Sequence, residues 1–428
     1  MLPITICNGK KELAVFETLK TRAGEVDAKV TAIVQEIIDD VKMRGDVALR
    51  EYALRFDKAD LQNFEVPREE MKRAYDTCEP KLKAALHNAC DNIELFHKRQ
   101  VQQSFFTTEE NGAMLGQRVR GLHRVGVYVP GGTAPLPSSV LMNVVPAKIA
   151  GVKEIIMCTP PWEGSANETI LAAAYIVGVD RVFLLGGAPA MTAMAYGTKT
   201  VPQVDKIVGP ANIYGTTAKK LLFGVVDIDM IAGPSEILVV ADETANPAWL
   251  AADLLSQAEH DVLAGVVLLS ISQNIAEQTT KELKLQLDKL PRKDIATQAL
   301  KNNGAILVCQ SMEQAIEYAN QYAPEHLELC VQNPLEFLGS IENAGSVFLG
   351  HYTPESVGDY FAGANHVLPT GGTPRFFSPL SVDDFFKKIQ FVYYTREALQ
   401  IAKDDIVAIG EAELLQAHAN AAKIRFEG

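Results

Sequence analysis

No two cysteines of this chain stand in a C-x-x-C pair. Cys7, Cys78, Cys90, Cys158, Cys309 and Cys330 are scattered, which offers neither a disulfide framework nor a thiolate zinc centre and fits reduced thiols in a reducing compartment. Long apolar runs are missing too: no stretch reaches the roughly 18 residues a membrane span needs, and the opening MLPITICNGKKELAVF meets Lys10 and Lys11 early. We therefore expect a cytoplasmic chain that nothing exports or anchors. Positive charge is in deficit, with 40 Lys and Arg against 53 Asp and Glu and a net charge of -13, so nucleic acid and anionic lipid are repelled. A complete G-x-G-x-x-G string is also absent, which removes the generic signature of dinucleotide binding.

The composition is that of a globular protein, 47% hydrophobic and 22% charged. A chain of 428 residues exceeds the roughly 250 to 300 residues at which single cores stop growing, so at least two domains are expected. Residues 26–100 read as helices, with Val30, Ile33, Val34, Ile37, Ile38 and Val41 on one stripe, a scaffold and not a site. From residue 125, short β-branched runs alternate with helical segments, the pattern of a mostly parallel sheet with crossovers. VGVYV (125–129), EIIMC (154–158), RVFLL (181–185) and KIV (206–208) form one set, followed by turns such as Pro130-Gly131-Gly132, Gly186-Gly187 and Gly209-Pro210. ILVVAD (237–242), GVVLLS (265–270), AILVC (305–309) and SVFLG (346–350) form a second set. After Phe376 the chain turns polar and then helical, a tail that can pack on its own chain or on a neighbour.

Ligands of open α/β sheets sit beyond the carboxyl ends of the strands, and glycine turns that open a helix there can meet phosphate, although such turns are also plain chain reversals. Five of the eight histidines lie in the C-terminal half. In SQAEH, Gln257 and His260 stand three apart on a helix and share a face; a metal site and a solvated or satisfied helix face both fit. Pro324-Glu325-His326 sets a carboxylate beside an imidazole in a loop or helix start, where two proton-transfer groups and a helix cap are the alternatives. SVGDYFAGANHVLPTGG is rich in small residues around Asp359 and His366, which allows close approach to a ligand. His418 follows Glu413 by five residues in the helical tail, on an exposed face. His87, His97, His123 and His351 are assigned to structure. The chemistry is expected to gather around Glu325 and His326.

The strings YVPGG (128–132), SSVLMNVVPAKIAGV (138–152), AGPSEILVVAD (232–242), LLSQAEHD (254–261), APEHLEL (323–329) and GDYFAGANHVLPTGG (358–372) resemble histidinol dehydrogenase, in family order and over essentially the whole chain. The resemblance implies zinc (Zn2+) and two NAD, used to take L-histidinol through the aldehyde to L-histidine. Carried over residue by residue, it implies Gln257, His260, Asp359 and His418 as zinc ligands, the last from across a homodimer interface. Zinc accepts such nitrogen and oxygen donors, a neutral Gln oxygen being an unusual one. It implies His326 as the base that takes the hydroxyl proton and Glu325 as the group that activates water on the aldehyde. Ser235, His366 and Glu413 match substrate contacts, together with the four zinc ligands and His326. Tyr128, Pro189 and Asn212 match NAD contacts.

The expected architecture is α/β: two similar incomplete Rossmann-like parallel-sheet domains, an N-terminal helical arm and a swapped C-terminal segment. The arm covers 1–25. Residues 26–120 and 236–376 form the domain of metal and catalytic residues, 121–235 the NAD-side domain, and 377–428 the segment that reaches the dimer partner. Two positions depart from the family: Pro189 stands where GGAQA usually has Gln, and Ala211 replaces Gly in GPGN. Proline is welcome in a first helical turn, but the missing amide removes a cofactor hydrogen bond, a loss of roughly 0.5 to 1.5 kcal/mol. A relative oxidising another hydroxylated compound, such as a sulfonated diol, is one alternative; retention of His366 and Glu413 favours histidinol. A non-catalytic, metal-dependent regulatory protein is another, opposed by Glu325 and His326. Thiol catalysis is discounted because Cys158, Cys309 and Cys330 end apolar runs outside the matched motifs.

Overall fold

The computed structural model describes residues 2–9, 11–21, 28–131, 135–162 and 164–427. Residues 22–25 of the expected arm, the first two of the expected helical region and Gly132 lie outside the described residues. In chain order the strands are β1 (Ile4–Ile6), β2 (Glu65–Val66), β3 (Phe105–Thr108), β4 (Met114–Gly121) and β5 (Arg124–Tyr128). Then come β6 (Glu154–Thr159), β7 (Arg181–Leu184), β8 (Lys206–Val208), β9 (Asp227–Ile228) and β10 (Glu236–Ala241). The last are β11 (Gly265–Ser270), β12 (Gly304–Val308), β13 (His326–Cys330), β14 (Ser346–Leu349) and β15 (Phe386–Tyr393).

The chain divides into two compact units. The first, Met1–Gln100 with Leu122–Phe385, contains two six-stranded sheets, ordered β1-β12-β11-β10-β13-β14 and β2-β7-β6-β5-β8-β9. Apart from the edge strands β1 and β2, both run third-second-first-fourth-fifth in their own chain order, the winding of half a dinucleotide fold. All pairings are parallel except β2 with β7. Helices cover both faces, which is why the central strands read as unbroken apolar runs: Ile237 to Ala241 are fully buried. The expected α/β architecture with two similarly wound parallel sheets is therefore present.

Sheet membership runs differently from the expected boundaries in two places. β1, inside the expected arm, pairs with β12, and β2 pairs with β7, so the early helices accompany the sheet of 124–228. Helix Ala28–Arg44 buries Val34, Ile37, Ile38 and Val41, each contributing about 1.5 to 3 kcal/mol when fully buried. Ile33, expected on that stripe, is exposed.

The second unit, Val101–Gly121 with Phe386–Gly428, is an antiparallel sheet β15-β4-β3 followed by helices Arg396–Ala412 and Gln416–Lys423. The tail thus begins with a strand before it becomes helical. Phe105, Phe106, Leu115, Phe391, Val392 and Tyr393 are all exposed. The two helices meet closely at Gly410, where a Cβ would come within 3.2 Å of the Ala419 nitrogen.

Candidate active site

The expected dyad is placed by a strand start, not by a helix. Helix Met312–Tyr322 ends at Ala323, whose left-handed backbone (φ 52) returns its N–H to Ala319 O. Pro324 and Glu325 follow, and His326 opens β13 beside β10. This excludes the helix-cap alternative. In the sheet register Ile237 lies beside His326, so Glu236 stands where the ladder ends, and side chains take over its peptide groups. Glu236 N–H donates to Glu325 Oε2 at 2.8 Å. Glu236 O lies 3.0 Å from His326 Nδ1, so Nδ1 carries the proton and donates it there. One residue's backbone orients both members of the dyad, which do not bond to each other: Glu325 Oε2 is 3.7 Å from Nδ1.

The consequence is chemical. With Nδ1–H fixed, His326 keeps its lone pair on Nε2, which lies 3.7 Å from Glu355 Oε1. Burial pushes the imidazole down to about 4, so near neutral pH it is the free base. Burial pushes the Glu325 carboxyl well above the usual range, and the nearby Glu236 and Asp359 carboxylates add to this against the Glu236 N–H and Ser235 bonds. A carboxyl tuned upward is a stronger base once ionised.

Across from Nε2, helix Pro247–Ala258 ends at Gln257 and Ala258, and His260 follows in the turn, its N–H on Gln257 O at 3.2 Å. His260 is therefore past the helix and exposed, while Gln257 is buried. The Gln257 amide nitrogen faces both oxygens of Glu355, at 2.9 and 3.1 Å, so its oxygen would reach a metal at this group only with the amide turned over. His260, Glu355 and Asp359 offer ligand atoms all within 4.8 Å of one another. That spacing fits a zinc whose bonds to nitrogen and oxygen are about 2.0 to 2.2 Å. Glu355 and Asp359 share one turn of helix Glu355–Tyr360. His366 Nδ1 donates to Asp359 O (3.1 Å), which leaves Nε2 to accept from Ser139 Oγ (3.4 Å), and burial lowers its pKa.

The first unit thus gathers Ser235, Gln257, His260, Glu325, His326, Asp359 and His366. Glu413 and His418 lie exposed in the second unit. Sequence reasoning missed Glu355 and Glu236. The spacing of Glu355 four residues before Asp359 was the available signal.

The candidate cofactor residues lie elsewhere, at the carboxyl ends of the second sheet, where β5 and β8 diverge. Gly209 (φ 110) passes so close that a Cβ would strike Tyr128 O. Its N–H donates to Asp229 Oδ2 at 2.8 Å and its O accepts from Lys219 Nζ at 3.1 Å, and Lys219 and Asp229 form a buried ion pair. Tyr128 OH accepts from Gly187 N at 2.9 Å. Asn212 caps helix Ile213–Leu222 through Oδ1, which leaves its amide N–H groups for a ligand. Pro189 sits in the first turn of helix Gly187–Tyr196. Ala211 is accommodated by Gly215, whose added Cβ would lie 2.6 Å from the Ala211 methyl. Strand ends thus position the candidate cofactor residues, whereas the Glu325–His326 pair sits at the amino end of its strand, opposite to expectation. Cys158, Cys309 and Cys330 are buried; burial alone raises the Cys158 thiol, the Cys7 hydrogen bond and burial raise Cys309, and burial with the Glu328 and Asp253 carboxyls raises Cys330, so none is an activated nucleophile.

Fold and site together define an α/β chain in which a buried Glu–His pair stands beside His260, Glu355 and Asp359, a group whose ligand atoms could hold a metal ion. The chain belongs to the histidinol dehydrogenase family, whose model matches residues 20–426. The histidinol dehydrogenase of Clostridium acetobutylicum is 54% identical over 413 residues, 96% of each chain. That of Listeria innocua is 51% identical over 419 residues, 98% of each. The crystal structure of histidinol dehydrogenase from Elizabethkingia anophelis superposes with a TM-score of 0.93 at 41% identity, covering 100% of this chain and 98% of that one.

Proposed function

We propose that this chain oxidises L-histidinol to L-histidine through L-histidinaldehyde, using two NAD and a resident zinc, as the last step of histidine biosynthesis in the cytoplasm. The observation that carries the reading is His326, neutral, with Nδ1–H held on Glu236 O and Nε2 facing the His260, Glu355 and Asp359 group. Among the described residues no helix is long and apolar enough to cross a membrane.

Bound zinc would supply a template for the imidazole and amine of the amino alcohol, and bound NAD a hydride acceptor. Gln257, His260 and Asp359 would hold the metal from this chain, with Glu355 at the same group. His326 Nε2 takes the hydroxyl proton while the carbinol C–H pair leaves as hydride and the O–H pair becomes the carbonyl bond. Glu325 then takes a proton from water as its oxygen attacks the aldehyde carbon, while protonated His326 returns its proton to the former carbonyl oxygen, giving the gem-diol and a neutral imidazole. His326 serves again as the second hydride leaves, and the product is the acid. Ser235 and His366 orient the substrate. Tyr128 and Asn212 would hold NAD, and Pro189 would offer it only apolar contact.

The active form in this reading is a homodimer in which Glu413 and His418 come from the second subunit. Their exposure and the exposed apolar sheet of the second unit support it. The sulfonated-diol and regulatory alternatives lose support, because the family model and the relatives carry the histidinol dehydrogenase name. The test is the purified protein with zinc, NAD and L-histidinol. About two NADH per histidine supports the reading, and no NADH after zinc is restored refutes it.

A further inference from the structure

β13 buries a carboxylate that the reaction does not use. Glu328 lies mid-strand and is 1% exposed; on a pleated strand it shares a sheet face with His326, two residues earlier. Its Oε1 accepts the backbone N–H of Glu355 at 2.8 Å. That N–H opens helix Glu355–Tyr360 and has no partner within the helix, and the residue that carries it is 3% exposed. Asp253, on helix Pro247–Ala258, hydrogen-bonds the Glu328 carboxyl, and Cys330 Sγ lies 3.9 Å from Oε2. The helix so held is also fitted from its other side: a Cβ on Gly358 would come within 2.6 Å of the Phe348 ring, against which His326 is tilted.

A central strand that buries a carboxylic acid loses apolar packing and desolvates a polar group. The side chain recovers this through bonds to two elements, the helix bearing Glu355 and Asp359 and the helix that ends at Gln257. We propose that Glu328, braced by Asp253, is a positioning residue: it fixes the start of helix Glu355–Tyr360 and thereby sets the spacing of Glu355 and Asp359 against Gln257 and His260. The inference rests on the reading of that group as a zinc site. What the position requires is an acceptor of this reach, not a charge.

The test is zinc affinity of the metal-free full-length protein, measured by competition with a chromophoric chelator, alongside circular dichroism. Glu328→Gln keeps a carbonyl acceptor of the same length and binds zinc within about threefold of the unaltered protein. Glu328→Leu orphans the Glu355 N–H and weakens zinc at least tenfold while the far-ultraviolet spectrum is unchanged. Should the leucine variant fail to fold, Glu328→Thr, polar but too short to reach, carries the same comparison. Zinc affinity unchanged in the leucine or threonine variant overturns the inference and leaves the zinc reading intact. Loss in Glu328→Gln equal to that in Glu328→Leu also overturns it, since reach would then not be the requirement. Absence of zinc binding by the unaltered protein removes both.

Discussion

Glu325→Gln separates the two oxidations. The amide is isosteric and its oxygen still accepts from Glu236 N–H, the bond made at 2.8 Å, so His326 and its bond to Glu236 O stay in place. A buried carboxyl held well above its ordinary pKa by desolvation is replaced by a neutral group, so the fold should be as stable or more so. What is lost is the base for aldehyde hydration. General-base contributions run to about 100- to 10,000-fold, or about 2.7 to 5.4 kcal/mol of barrier. With L-histidinol the variant is expected to release one NADH per turnover at a substantial rate while the aldehyde accumulates; with L-histidinaldehyde, acid formation falls by that factor. NADH fluorescence and a carbonyl reagent measure the two. Equal loss in both half-reactions, at unchanged melting temperature, would refute the division of labour.

Four further outcomes follow. His326→Asn, whose amide can still donate to Glu236 O, should slow both oxidations about 100- to 10,000-fold, read as kcat on each substrate. Mixing Glu325→Gln with His418→Ala should restore about a quarter of normal activity through hybrid dimers carrying one intact site; no recovery on mixing would place His418 in its own subunit's site or outside it. Burial raises Glu236 to about 7. A folded-state pKa above the unfolded one means stability present below about pH 4.5 and lost as pH rises toward 7, so Glu236→Gln should flatten the fall of melting temperature between pH 5 and 8. Lys219→Met leaves Asp229 buried and unpaired beneath Gly209, which should cost about 3 to 5 kcal/mol in denaturant unfolding and raise the KM for NAD.

Most of the strands that were legible in the sequence are buried on both faces, the edge strand β14 being partly buried. VGVYV, EIIMC, RVFLL, ILVVAD, GVVLLS, AILVC and SVFLG fall on β5, β6, β7, β10, β11, β12 and β14, because a covered parallel strand must be apolar throughout. β13 escaped for the reason that it matters: HLELC carries His326 and Glu328 on a buried strand, and function interrupts the pattern that announces a strand. β15 escaped because its residues are nearly all exposed, so neither face imposes alternation. The residues of the site were visible mainly through family resemblance. Their grouping was not, because Gln257, Glu325 and Asp359 come from three elements that only the sheet order brings together. Glu236 could not have been found as an orienting residue, since its contribution is made by the backbone, which any residue type supplies.

The most direct measurement is a crystal structure of the dimer with zinc and L-histidinol. The account expects the metal on His260, Asp359 and Gln257 Oε1 with His418 of the second subunit, and His326 Nε2 within hydrogen-bonding distance of the carbinol oxygen. Zinc bound elsewhere, or His326 turned so that Nδ1 faces the substrate, would contradict it.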